Sequence, residues 1–427
     1  MNELEYREGM IQKWASFASP TALLRAAAAG GVVCLALAGA GLSGCGDAGG
    51  TGGAGGTGGA GGTAGAGGTA PAGPEPLGLN DVSVLFPLPL SVDEPGLLRP
   101  EDVGAYGELL PQDVFDAIPT FPVMPSQGLV YSRMRAVALR FDGCGGIPET
   151  CAPEIRLVMQ PVVANGSTRD SALHLFYRLD AETMGKVVNG LRALRPLAPE
   201  APVEAPLDVH PALVAQGVLG AYGTALRDLV LQHIGEQNLG RVTFFLRAPP
   251  TNEVWFLGGF ERAAGELTPM DVVGVGTDPQ RVILAKTETT YDYDLTPTGH
   301  TPEDGRVFYS SAAAEAATEE ERSAAMASYL RVENPTVYVP DHLPCAGCHL
   351  STYVTAEATR RFAIDPAAFP ADRYTSPTRD LTLRGGAAEN PSSLRAFGYF
   401  GNAPMISQRT VNESAAVADD LATRYPE

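Results

Sequence analysis

Toward the end of the 427-residue chain stands Cys345-Ala346-Gly347-Cys348-His349. Two thiols three positions apart, followed at once by an imidazole, form the attachment signature of a c-type haem. The spacing has a physical reason. Both thiols must reach the two vinyl groups on one edge of a porphyrin, and the next residue is thereby set beneath the iron as an axial ligand. One covalent haem c is therefore the expected cofactor, held by Cys345 and Cys348 with His349 on the metal. Three other chemistries fit the residue types. A zinc site needs a further Cys or His pair, and after His349 the chain holds neither residue. A thioredoxin-like thiol catalyst expects a strand before the motif and a helix after it, and only the stub Val337-Tyr338-Val339 precedes it. A plain Cys345–Cys348 disulfide is the third, and it goes with a different function, that of a surface binding or structural protein.

On these residues the segment resembles the cytochrome c family, with Cys345 and Cys348 matching the thioether cysteines and His349 the proximal ligand. The resemblance covers residues 311–427 and implies a small all-α domain whose first and last helices pack on each other with haem between them. It also implies a sixth ligand. Met405, in Gly401-Asn402-Ala403-Pro404-Met405-Ile406, is the only Met after the motif and lies 56 residues beyond His349. Thioether ligation would raise the reduction potential relative to two imidazoles. Arg395, in an aromatic and glycine cluster over 392–401, is a candidate partner for a propionate. Two helices are expected at the flanks. Thr318-Glu319-Glu320-Glu321 is a capping pattern opening a helix toward Leu330, and Thr410-Val411-Asn412-Glu413 opens one toward Tyr425 with Val411, Ala415, Ala418 and Leu421 on one face. Residues 332–344 are longer than the corresponding stretch of small cytochromes.

Haem attachment of this kind takes place on the exported side of a membrane, and the N-terminal residues carry an export signal. Residues 26–42 are apolar, with Lys13 and Arg25 upstream, and the run ends in Leu42-Ser43-Gly44-Cys45. That sequence resembles the lipobox of bacterial lipoproteins. The resemblance implies that residues 1–44, Cys34 included, are a discarded signal peptide and that Cys45 takes a lipid. Residues 45–78 then form a tether: 46–70 alone hold 14 glycines and have almost no side chains with which to pack. Such a stretch spans about 25 to 30 Å on average. The protein is expected in the bacterial cell envelope, lipid-anchored to a membrane and facing periplasm or cell surface.

Residues 79–310 read as an α+β domain of unassigned role. Apolar runs bounded by turn residues predict strands over 82–86, 130–141, 155–163, 172–179, 241–247, 253–260 and 281–285, the fifth and sixth forming a hairpin. Helical spacing marks 180–194 and 211–237. Cys144 and Cys151 flank a Gly/Pro loop and are expected to form a disulfide in an oxidising compartment. His174, His210, His233 and His300 stand singly and read as ordinary surface or core residues. No nucleophile elbow, phosphate loop or dinucleotide fingerprint occurs, so the chain reads as an electron carrier rather than a catalyst.

The formal charge is −19, which argues against a nucleic-acid partner because phosphate binding needs a basic surface. The signal region is balanced and residues 345–427 carry −1, so −18 falls between them. The expected partners are a membrane, through the lipid, and a redox protein that tolerates this acidic surface.

Overall fold

The structure is a computed structural model that describes residues 76–120, 129–143, 152–248, 253–286, 293–299, 305–386 and 394–426. Cys34, Cys45, Cys144, Cys151 and His300 lie outside the described residues, and with them the lipidation and the Cys144–Cys151 disulfide. Residues 69–427 cluster as one compact unit.

Its centre is a nine-stranded antiparallel sheet. The chain enters through a short helix α1 (Leu79–Val82) and strand β1 (Ser83–Leu85), then makes a two-stranded ribbon β2 (Val103–Gly104) and β3 (Gly107–Glu108) and helix α2 (Gln112–Asp116). The sheet continues with β4 (Met134–Asp142), β5 (Glu154–Pro161) and β6 (Ala172–Arg178). Helices α3 (Ala181–Leu194), α4 (Pro211–Gln216) and α5 (Ala221–Leu231) follow. Strands β7 (Leu239–Ala248), β8 (Glu253–Ala263), β9 (Glu266–Pro269), β10 (Gln280–Lys286) and β11 (Tyr293–Pro297) complete the sheet. The strand order is β1-β4-β5-β6-β7-β8-β10-β11, with β9 added to β8. Helices α6 (Ser311–Ala316), α7 (Glu319–Val332) and α8 (Cys345–Phe362), a hairpin of β12 (Phe397–Phe400) and β13 (Ala403–Ile406), and helix α9 (Gln408–Arg424) end the chain.

Alternation along each strand divides the sheet into two inner faces. Leu157, Leu175, Tyr177 and Val242 pack with Val187, Leu191 and Leu226 of α3 and α5. On the opposite face Phe245, Trp255, Leu257 and Val282 share a core with Met326, Leu350 and Val354 of α7 and α8. Beside it Ala138, Val158 and Ala172 pack with Phe397, Ile406, Val411 and Ala415. Burying each Leu or Val contributes about 1.5 to 3 kcal/mol, so the C-terminal helices draw their stability from the sheet beneath them.

The small all-α cytochrome-like domain is therefore not what residues 311–427 form. They pack on the antiparallel sheet, with Val417, Ala418 and Leu421 at the end of α9 joining the core on the α3 and α5 face, and they contain strands. The reason is local. Gly401-Asn402 is a two-residue turn between apolar runs, Gly401 takes a φ of +62°, and the turn closes β12 onto β13 with Phe397 opposite Ile406. The other differences are smaller. The helix expected over 211–237 is broken into α4 and α5 at Gly217, whose φ is +77°. Helix α9 starts earlier than expected, because the Ser407 hydroxyl accepts from the Thr410 N–H at 3.2 Å and caps it. Thr318 and Glu321 form the expected capping box on α7. The run 82–86 is split between the end of α1 and β1. Among the described residues no helix is long and apolar enough to cross a membrane.

Candidate functional site

Pro344 precedes the motif at the N-cap of α8, so Cys345, Cys348 and His349 lie on its first turns. Pro at this position blocks no helical hydrogen bond. The helix is held to the sheet by Ala346, Leu350, Val354 and Ala358, a stripe at four-residue spacing that is fully buried. The backbone N–H of Ala346 also donates to the Gln280 side chain on β10 at 2.7 Å. The three motif side chains, by contrast, are only half-buried.

Below them, partial exposure continues on the sheet. Arg156, His174, Phe176, Arg241 and Thr243 keep some accessible surface, while Leu157, Leu175 and Val242, which point to the other face, are buried. Three contacts bound this region. His349 stacks on Phe245 with ring centroids 5.2 Å apart and planes at 18°. Glu413 of α9 meets Arg140 of β4 at 2.9 Å. Asp341, just before the motif, meets Arg241 of β7 at 2.6 Å. On the same face of the sheet the guanidinium groups of Arg156 and Arg241 lie over the Phe176 ring, 5.2 and 5.7 Å from its centre.

The imidazole of His349 is oriented from behind. Its Nδ1 meets the carbonyl oxygen of Leu394. A carbonyl can only accept, so Nδ1 carries the proton and Nε2 carries the lone pair. Burial pushes the His349 pKa down to about 4, against the opposing pull of this hydrogen bond, so the ring is neutral at physiological pH. Nε2 has no hydrogen-bond partner among the described residues. An N–H held by a backbone carbonyl behind a free ring nitrogen is how proteins orient a metal-binding histidine.

Burial pushes the Cys345 thiol up to about 12 and Cys348 up to about 11, each aided by a nearby negative or thiolate group. A thiol-exchange catalyst needs the opposite shift. Among the described residues no three His, Cys, Asp or Glu side chains converge where a metal ion could sit. The two thiols and the imidazole are thus not a zinc site among themselves.

Arg395 lies one layer below His349. Its guanidinium carbon is 4.4 Å from the Phe245 ring centre, on a ring that also stacks with the imidazole. It pairs with Asp170 at 3.1 Å, and Asp170 accepts from the Trp255 indole N–H at 3.0 Å. Arg395 is 2% exposed, and its Nε and Nη1 find no acceptor. Met405 is buried on β13, opposite Gly398, with its sulfur 3.6 Å from where a Cβ on Gly386 would lie. The residues that sequence reasoning did not connect with the motif are those of the sheet: His174, Phe176, Thr243 and Phe245. Only their alternation with buried apolar residues marked them as sharing one face.

A separate cavity of about 380 Å³ lies among α7, α8 and α9, lined by Leu330, Glu333, Thr352, Thr355, Gln408 and Asn412. Burial pushes the Glu333 carboxyl up to about 7, although Thr352 and Thr355 donate to it.

No family model, curated protein or solved structure matches this chain.

Proposed function

We propose that this chain carries one covalently attached haem at Cys345, Cys348 and His349 and transfers single electrons in the bacterial cell envelope, held to a membrane by a lipid on Cys45. The observation that supports it best is the Leu394 carbonyl behind His349, which leaves a neutral imidazole with its Nε2 lone pair unspent beside two half-exposed thiols on the same helix. When bound, the haem would supply an iron that cycles between two oxidation states.

The chain's own part is positioning and solvation. The first turns of α8 set the two thiols for thioether formation, and the Leu394 carbonyl holds the ligand ring. Phe245, fully buried between His349 and Arg395, fixes the imidazole, and half-buried Phe176 is an aromatic side chain on the same face of the sheet. Helix α9 and β7 contribute arginines that already have carboxylate partners: Arg409 shares Glu413 with Arg140, and Arg241 meets Glu261 and Asp341. The acidic stretch between residues 45 and 344 favours a redox partner with a basic docking surface.

The test is a pyridine haemochrome spectrum of the full chain coexpressed with a haem-attachment system. A covalent haem band that disappears in Cys345→Ala/Cys348→Ala is the expected result. A chain without that band would instead be a surface binding or structural lipoprotein with Cys345 and Cys348 oxidised to a disulfide.

A further inference from the structure

We propose that His174, on the central sheet, is the second axial ligand opposite His349, in place of Met405. The inference rests on the haem reading above. The register places His174 of β6 between Val158 of β5 and Thr243 of β7. Two residues along β7 from Thr243 is Phe245, the ring on which His349 stacks at 5.2 Å. Diagonal positions on adjacent strands are about 7 to 8 Å apart, so both imidazoles serve the same small area of the sheet. They are close enough that charge on His349 disfavours charge on His174.

Two further features suit a ligand. His174 keeps accessible surface while its strand neighbours Leu173 and Leu175 are fully buried, so its side chain lies on the sheet face that carries Thr243 and Phe245 and not on the face packed by α3 and α5. Its one hydrogen bond is between Nδ1 and the Thr243 hydroxyl at 3.3 Å. A hydroxyl can donate as well as accept, so Thr243 permits, where Leu394 imposes, the Nδ1–H tautomer that leaves the Nε2 lone pair for a metal. Met405 has no comparable exposure: it is 2% exposed on β13, with its sulfur packed near Gly386.

The experiment uses the full-length haem-loaded chain in detergent, with optical and low-temperature electron paramagnetic resonance spectra of the ferric form. The parent is expected to be low-spin with the signature of two imidazoles and no iron–sulfur absorption band. His174→Ala is expected to keep its covalent haem, become high-spin, and return to low-spin on addition of free imidazole. His174→Met is expected to gain an iron–sulfur band and a higher reduction potential, and it decides the matter if the alanine variant does not fold. Met405→Ala is expected to leave the parent spectrum unchanged. An iron–sulfur band in the parent that Met405→Ala removes would overturn the inference while leaving the haem reading intact, as would an unaltered low-spin spectrum in both His174 variants. Absence of covalent haem from the parent would overturn both.

Discussion

His349 donates its Nδ1–H to the carbonyl oxygen of Leu394, 45 residues further along the chain. One hydrogen bond thereby connects the first turns of α8 to the residue that leads into β12, and it sets the tautomer of the ring. A histidine-specific nitrogen NMR spectrum of the haem-free chain should show His349 as the Nδ1–H tautomer, neutral from pH 5 upward because its pKa is pushed down to about 4. An Nε2–H tautomer, or titration near pH 6.5, would remove the orientation argument.

The two thiols of the haem-free chain should be slow nucleophiles. With Cys345 pushed up to about 12 and Cys348 up to about 11 by burial, the thiolate fraction at pH 8 is small. Alkylation should run roughly 100-fold or more slower than for an unperturbed cysteine of pKa about 8.5. Fast alkylation of one thiol would point back to a thiol-exchange role.

Among the described residues Asp170 holds the only carboxylate paired with Arg395, and both side chains are within 3% of complete burial. Removing one partner of a buried pair leaves the other charge uncompensated, at a cost of about 3 to 5 kcal/mol. Asp170→Ala and Arg395→Met should therefore each lower the denaturant midpoint, and the double variant, which strands neither charge, should cost clearly less than the two single losses added together. Additive losses would show that the two side chains are not coupled.

Glu333 should make stability fall as pH rises. Its folded-state pKa is raised by burial from 4.5 to about 7, so between those values the folded chain binds more protons than the unfolded one. Stability from this group is thus fully present below pH 4.5 and is lost as pH climbs through 7, by about 3 kcal/mol in all. Chemical denaturation of Glu333→Gln across pH 5 to 8 should show a flatter profile than the parent. An unchanged slope would place the titration elsewhere.

On the lipid-anchor proposal, a labelled fatty acid fed to the expressing cells should be incorporated into the parent chain and not into Cys45→Ala. Equal incorporation, or none in the parent, would remove the lipid from Cys45.

What the sequence by itself determined was local. The Cys345, Cys348 and His349 spacing, the Thr318 capping box, the helical spacing of α3 and the strands β5, β6, β7 and β10 depend on residues within a few positions of one another. The Gly401-Asn402 turn of the β12–β13 hairpin is also a local signal, lying in a segment for which the cytochrome resemblance implies a small all-α domain. Tertiary structure decided which surface the helices would cover. The apolar stripe of α8 can be satisfied by another helix or by a sheet, and nothing local distinguishes the two. Here both contribute: α8 packs beside Met326, Tyr329 and Leu330 of α7, and over Phe245, Trp255, Leu257 and Val282, which come together on one face only after β7, β8 and β10 pair. The same pairing turns His174 from an isolated residue of the middle segment into a neighbour of the motif, since long-range strand register, not spacing along the chain, sets that distance.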